Sequence, residues 1–194
     1  PTLVKLAALA KAGDFEAIKK MPGGTFVRSP GWLVGAIYNG RIAPVAPYGI
    51  CGTIWYQAES NCGRGEDPRD YRHKQRALVQ GWRQAWNNEN LPFFYVQLPQ
   101  WKSYAWTYAR EEQFRAMEVD GTGMAVTIDL DNANDIHPPN KIDVGERLAR
   151  WPLAKVYGKK IPFSGPLFRD VNVRDAEVVV RFDYAKEGLM VGHI

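Results

Sequence analysis

Three short apolar runs punctuate the chain: Gly49 to Tyr56, Pro92 to Leu98 and Gly123 to Asp129. Each is continuous rather than alternating, rich in β-branched or aromatic residues, and bounded by turn residues. That is the signature of a strand covered on both faces. Between the runs, apolar positions recur at helical spacing. After Asp67 as N-cap and Pro68 in the first turn, Tyr71, Gln75, Leu78, Val79, Trp82 and Trp86 predict one helix. A second is predicted over 108–117. A third starts near Asn140 and carries Val144, Leu148, Trp151 and Tyr157; Pro152 inside it is expected to kink or split it. Strand and helix alternating in this way predict an α/β fold, a parallel sheet joined by right-handed crossovers. In such sheets function gathers at the carboxyl ends of the strands.

The flanks follow other rhythms. Leu3, Leu6, Leu9 and Ile18 suggest a helix or helix pair broken at Gly13-Asp14, and 21–30 reads as a loop. Trp32 to Pro47 is expected to pack as a short helix and an irregular stretch. At the other end, Val171–Arg174, a turn at Asp175-Ala176 and Glu177–Phe182 alternate with period two and predict a β-hairpin. The hairpin would open a separate β module, with a boundary near 162–166 dividing 1–165 from 166–194. The chain opens on Pro1 and stops just after strand-like residues, so it is expected to be part of a longer polypeptide. Pro1 to Lys5 lacks the pattern of a signal peptide, and no apolar run approaches the ~20 residues of a membrane span.

Composition narrows the classes. Of 194 residues, 45% are hydrophobic and 12% aromatic, enough for a packed core rather than disorder. The net charge of +4 is dispersed among acids, so no basic stripe for nucleic acid emerges. Cys51 and Cys62 are too few for an all-cysteine zinc site and are read as free thiols, Cys51 as a small buried hydrophobe.

Two polar loops follow the strands. Gln57-Ala58-Glu59-Ser60-Asn61 succeeds the first, and Asp129 to Asn140, with Asp131, Asp135 and His137, succeeds the third. His137 follows Asp135 by two residues in a loop leading into a helix, as suits a general base steadied by a carboxylate. A helix-capping or loop-filling role fits the same residues equally well. His73 reads as a surface residue. Asp129, Asp131, Asp135 and His137 could instead ligate a cation, although the EF-hand glycine and glutamate are missing. Ser60 lacks the glycines of a nucleophile elbow.

Tyr38-Asn39-Gly40-Arg41-Ile42-Ala43-Pro44, Gly52 to Asn61, Trp82-Arg83, Pro92-Phe93 with Val96-Gln97-Leu98, and Asp135-Ile136-His137-Pro138 with Asn140-Lys141 together resemble the sialate O-acetylesterase family. The similarity spans about 32–182 and includes the exit Ser164-Gly165-Pro166-Leu167. It implies an SGNH-type, flavodoxin-like α/β domain, here its C-terminal part. It also implies hydrolysis of acetyl esters on carbohydrates by serine acyl transfer, without cofactor or metal. The family's Gly-Gln-Ser-Asn nucleophile block has no counterpart here, so the serine is expected upstream. By resemblance His137 is the base and Asp135 its orienting acid, with Asp129 and Asp131 as rivals. Some related enzymes place that acid three residues before the histidine, where this chain has Asn134. Gln57 borders the acetyl site as an oxyanion donor, while Glu59 and Asn61 shape its loop. Ala58 stands where the family usually has glycine. Trp101, Tyr104 and Trp106 could stack on a sugar or simply pack. The expected partner is an acetylated carbohydrate, not nucleic acid or membrane, and the expected location is extracellular or periplasmic. Two other readings stay open: a non-catalytic carbohydrate-binding relative, and a metal-dependent hydrolase built on the Asp-rich loop.

Overall fold

The computed structural model describes residues 35–46, 48–63, 65–130, 133–186, 188 and 189, and positions 8, 9, 11, 12, 14, 16, 17 and 20. The loop expected at 21–30 and most of the N-terminal helical pattern lie outside the described residues. Residues 1–49 and 50–194 form two compact units. In the first, a π-helical turn covers Tyr38–Ile42 and closes with Ala43 N–H on the Tyr38 carbonyl at 2.8 Å.

The second unit holds the sheet. β1 (Thr53–Trp55), β2 (Phe93–Val96) and β3 (Thr122–Ala125) lie parallel in the order β1-β2-β3. Helices α1 (Tyr71–Ala85), α2 (Tyr104–Arg115) and α3 (Lys141–Lys155) alternate with them. All four β2 residues are buried, as its unbroken apolar run requires. Their alternation splits the core into two layers. Phe93 and Tyr95 pack with Val79 of α1 and Met124, whereas Phe94 and Val96 pack with Val144, Leu148 and Trp151 of α3. Gly123 is what lets α3 approach: a Cβ there would stand 2.2 Å from the Trp151 ring. The indole N–H of Trp151 then reaches the Met124 carbonyl at 2.9 Å.

Several expectations change in detail. Among the described residues β1 lies at an edge of this sheet, and Ile54 is 67% exposed rather than covered on both sides. Cys51, which precedes the strand, is exposed and not a buried hydrophobe; both cysteines are free thiols. α2 begins a turn earlier than its apolar spacing predicts, because Ser103 adopts an extended conformation and starts the helix at Tyr104. Pro152 does not split α3, which runs on to Lys155. The proline sits in the final turn, where its missing N–H costs the helix one backbone bond, and its own carbonyl accepts from the N–H groups of Val156 and Tyr157. Asp67 caps as predicted, accepting from the Arg69 N–H at the 3-10 turn Pro68–Asp70 that leads into α1. Asn140, near which the third helix is expected to start, accepts from the Asp143 N–H.

The hairpin is longer than predicted: β4 (Leu167–Arg174) pairs antiparallel with β5 (Glu177–Asp183) around a turn with Asp175 at φ 51°. Its register gathers Phe168, Val171, Val173, Val178, Val180 and Phe182 on one face. The opposite face carries the Asp170–Arg181 ion pair at 2.7 Å.

Candidate active site

Because the strands are parallel, the loops after β1, β2 and β3 emerge on one edge of the sheet. The first is tightly tied down. Ala58 is fully buried, and a 3-10 turn follows at Glu59–Asn61. Glu59 Oε2 accepts the Ala58 N–H at 2.9 Å, and Gln57 Nε2 donates to Asn61 Oδ1 at 2.9 Å. Asn61 in turn donates to Glu66 at 3.3 Å. Glu66 also holds the Lys74 ammonium, whose hydrogen bond keeps that carboxyl below its usual range. The bonds made by Glu59 and Asn61 thus lie within the loop and its immediate neighbours. Gln57 commits one of its two amide N–H bonds to Asn61.

Two residues not singled out in the sequence complete this support. Tyr71 of α1 donates its hydroxyl to the Gln57 carbonyl at 2.9 Å, and burial pushes that phenol well above its ordinary pKa. Gln113 of α2, 1% exposed, accepts the Leu98 N–H at 2.8 Å and donates to the Val96 and Gln57 carbonyls at 3.2 and 3.4 Å. Its own carbonyl takes the Tyr95 hydroxyl at 2.7 Å. Gln113 therefore stitches the ends of β1 and β2 together. A glutamine among the charges of 110–115 gives no sign of this in sequence.

The third loop is held differently. Its start is fastened by Arg147 of α3, which grips Asp129 with two bonds of 2.6 and 2.7 Å and also reaches the Val126 carbonyl at 2.9 Å. The guanidinium holds the Asp129 carboxyl below its usual range. Its end is fastened by the Asn140 cap, whose amide also donates to Asp143 at 2.7 Å. Between these anchors Ile136 packs against the cluster of Ala58, Tyr71, Leu98 and Trp106, bringing this loop to the β1 loop. Asp135 Oδ1 accepts the backbone N–H of His137 at 2.8 Å and lies 3.4 Å from its Nδ1. The second contact is longer than a good hydrogen bond. The imidazole is 80% exposed.

Of the rival acids, Asp129 is engaged by Arg147, and Asp131 lies outside the described residues. Among the described residues no three His, Cys, Asp or Glu side chains converge as ligands for a metal ion. His73 is exposed on α1. Cys62 donates its thiol to the Ala58 carbonyl at 3.4 Å; burial, then the nearby Glu59 charge, push it up to about 11. Ser60 is exposed in the 3-10 turn. The three aromatics separate: Trp106 is buried, with its N–H on the Pro99 carbonyl at 2.7 Å. Tyr104 is exposed, edge-on to Tyr108. Trp101 is half-buried beside the β1 loop.

This geometry offers a histidine with an adjacent carboxylate, on a loop whose Ile136 packs against a hydrogen-bonded loop that carries an amide donor. Comparisons with known proteins give it a lineage. The sialate O-acetylesterase of Rattus norvegicus is 28% identical over 78% of this chain and 32% of its own length. That of Homo sapiens is 29% identical over 68% and 29% respectively. A solved structure described as a novel carbohydrate acetylesterase from Xanthomonas citri superposes with a TM-score of 0.71. It is 35% identical and matches 76% of this chain and 36% of its own. The chain thus spans about a third of the length of these relatives. The profile of the carbohydrate esterase, sialic acid-specific acetylesterase family matches residues 19–153, well over half the chain, and the chain belongs to that family.

Proposed function

We propose that these residues form the base-bearing half of a carbohydrate O-acetylesterase site, working with a serine nucleophile from outside the 194 residues. The observation that carries this reading is the convergence of the His137 and Gln57 loops, joined through Ile136, in a chain of this family. His137 takes the serine proton as the hydroxyl attacks the acetyl carbonyl. It returns the proton to the departing sugar oxygen, and then activates the water that releases acetate. Asp135 steadies the ring through Nδ1, a bond that tightens as the imidazolium forms. The second amide N–H of Gln57 donates to the tetrahedral oxyanion, and the bonds from Tyr71 and Gln113 hold that loop still while charge develops. Glu59 and Asn61 keep the loop's shape.

The test is release of acetate from acetylated sugars by the full-length polypeptide, beside its His137→Ala variant. Loss of a general base of this kind lowers kcat by ~10⁴-fold or more. A variant that keeps most of its activity, with its fold intact, would sink the assignment.

A further inference from the structure

Between the β1 loop and the segment after β2 runs a groove of about 330 Å³, lined by Glu59, Ser60, Cys62, Trp101, Ser103 and Ile136, among others. That volume is at the low end of roughly 300–1,000 Å³ for ligand cavities, which suits one ring-sized group rather than several. Its floor is rigid. Trp106 is fixed by the Pro99 carbonyl, which Arg110 also holds at 3.1 Å, and Ala58 and Leu98 beneath are fully buried. Trp101 leans on Trp106, with ring centroids 6.4 Å apart and planes at 54°, so part of the indole remains open. Around it stand a carboxylate and two hydroxyls, those of Glu59, Ser60 and Ser103. Ile136 closes the groove on the side of His137, its next neighbour in the chain.

The indole already holds a cation. The Lys102 ammonium sits 5.5 Å from the Trp101 ring centroid, and its side chain is exposed. The negative face of an aromatic ring attracts positive charge, and it attracts the polarised C–H face of a pyranose for the same reason. A flexible surface lysine is readily displaced from such a position.

We infer that this groove is the ring subsite of the esterase, with Trp101 stacking on the C–H face of an acetylated pyranose. The carboxylate of Glu59 and the hydroxyls of Ser60 and Ser103 take up the ring hydroxyls. The inference rests on the acetylesterase reading, yet its test is a binding measurement and needs no turnover. The full-length polypeptide carrying His137→Ala is titrated with an acetylated methyl xyloside and, separately, an acetylated sialic acid, using saturation-transfer NMR. Ring protons of at least one sugar receive saturation; the stronger of the two identifies a neutral or an acidic pyranose as the source. Adding Trp101→Leu, which keeps apolar bulk but removes the π face, weakens binding about tenfold. Trp101→Phe restores most of it, which a packing defect alone does not allow.

Failure of both sugars to bind overturns the inference, as does binding unchanged in Trp101→Leu. Binding that depends on Trp101, with no acetate release by the parent that keeps His137, overturns the acetylesterase reading and leaves the ring subsite standing. Acetate release without ring binding does the reverse.

Discussion

The β1 loop and the β3 loop meet at one sheet edge but are built on opposite plans. The β1 loop is bonded at nearly every residue, above all at the Gln57 carbonyl, which receives both Tyr71 and Gln113. Among its described residues the β3 loop is fastened at its two ends, by Ile136 and by the Asp135–His137 backbone bond, and leaves the His137 imidazole 80% exposed. A donor awaiting a developing charge works best when it cannot move, since reorganisation would cost part of the stabilisation. A base that must turn from nucleophile to leaving group to water needs some freedom. The difference suits the two roles proposed for Gln57 and His137.

After the loss expected of His137→Ala, the largest effect should come from loosening the stiff loop. Gln113→Leu leaves the Leu98 N–H and the Val96 carbonyl buried without their partner, at a cost of about 3 kcal/mol in urea denaturation. Catalysis should fall as well, in kcat more than in KM. A variant as stable as the parent would mean that the glutamine does not hold the two strand ends.

Releasing the other loop should be gentler. Arg147→Ala frees Asp129 and removes a partly exposed ion pair and the bond to the Val126 carbonyl, so stability drops by about 1 kcal/mol. The displaced loop should lower kcat about tenfold. The pH dependence follows from the direction of the Asp129 shift. Its carboxyl is depressed in the folded protein, so the pair contributes fully above the unfolded pKa of ~4 and is lost as pH falls through the folded value. Thermal melts of parent and Arg147→Ala should therefore converge at low pH. A gap that widens on acidification would contradict this.

The smallest effect concerns thiol chemistry. Cys62, pushed up to about 11 beneath the rigid loop, carries almost no thiolate at pH 8. Iodoacetamide should label exposed Cys51 and spare Cys62 until the protein is denatured, as read by peptide mass spectrometry. Equal labelling would show that the β1 loop does not shield Cys62.

Much of this was legible in the residues. Continuous apolar runs separated by helical spacing predict the parallel sheet, Asp67 announces its cap and Asn140 marks the start of a helix, because these are local signals. The blocks around Gln57 and His137 carry the family. What escaped depends on partners far apart in the chain. Gln113 meets Gln57 across 56 positions, and Arg147 meets Asp129 across 18. Neither residue differs by type from ordinary helix-surface positions. The exposure of Ile54 follows from strand order, which spacing does not encode. Pro152 misled because a proline costs a helix one backbone bond and a local clash, which α3 absorbs without ending.

The contact between Gly123 and Trp151 has a consequence for how this sequence can change over time. With a Cβ at 123 placed 2.2 Å from the indole, alanine there is compatible only with a smaller residue at 151. Shrinking 151 first leaves a void beside Phe94 that a side chain at 123 could then fill. The two positions should therefore drift as a pair, with the smaller indole substitute arriving before the larger glycine substitute, and hybrids that combine a side chain at 123 with the indole at 151 should be the ones that fail to fold.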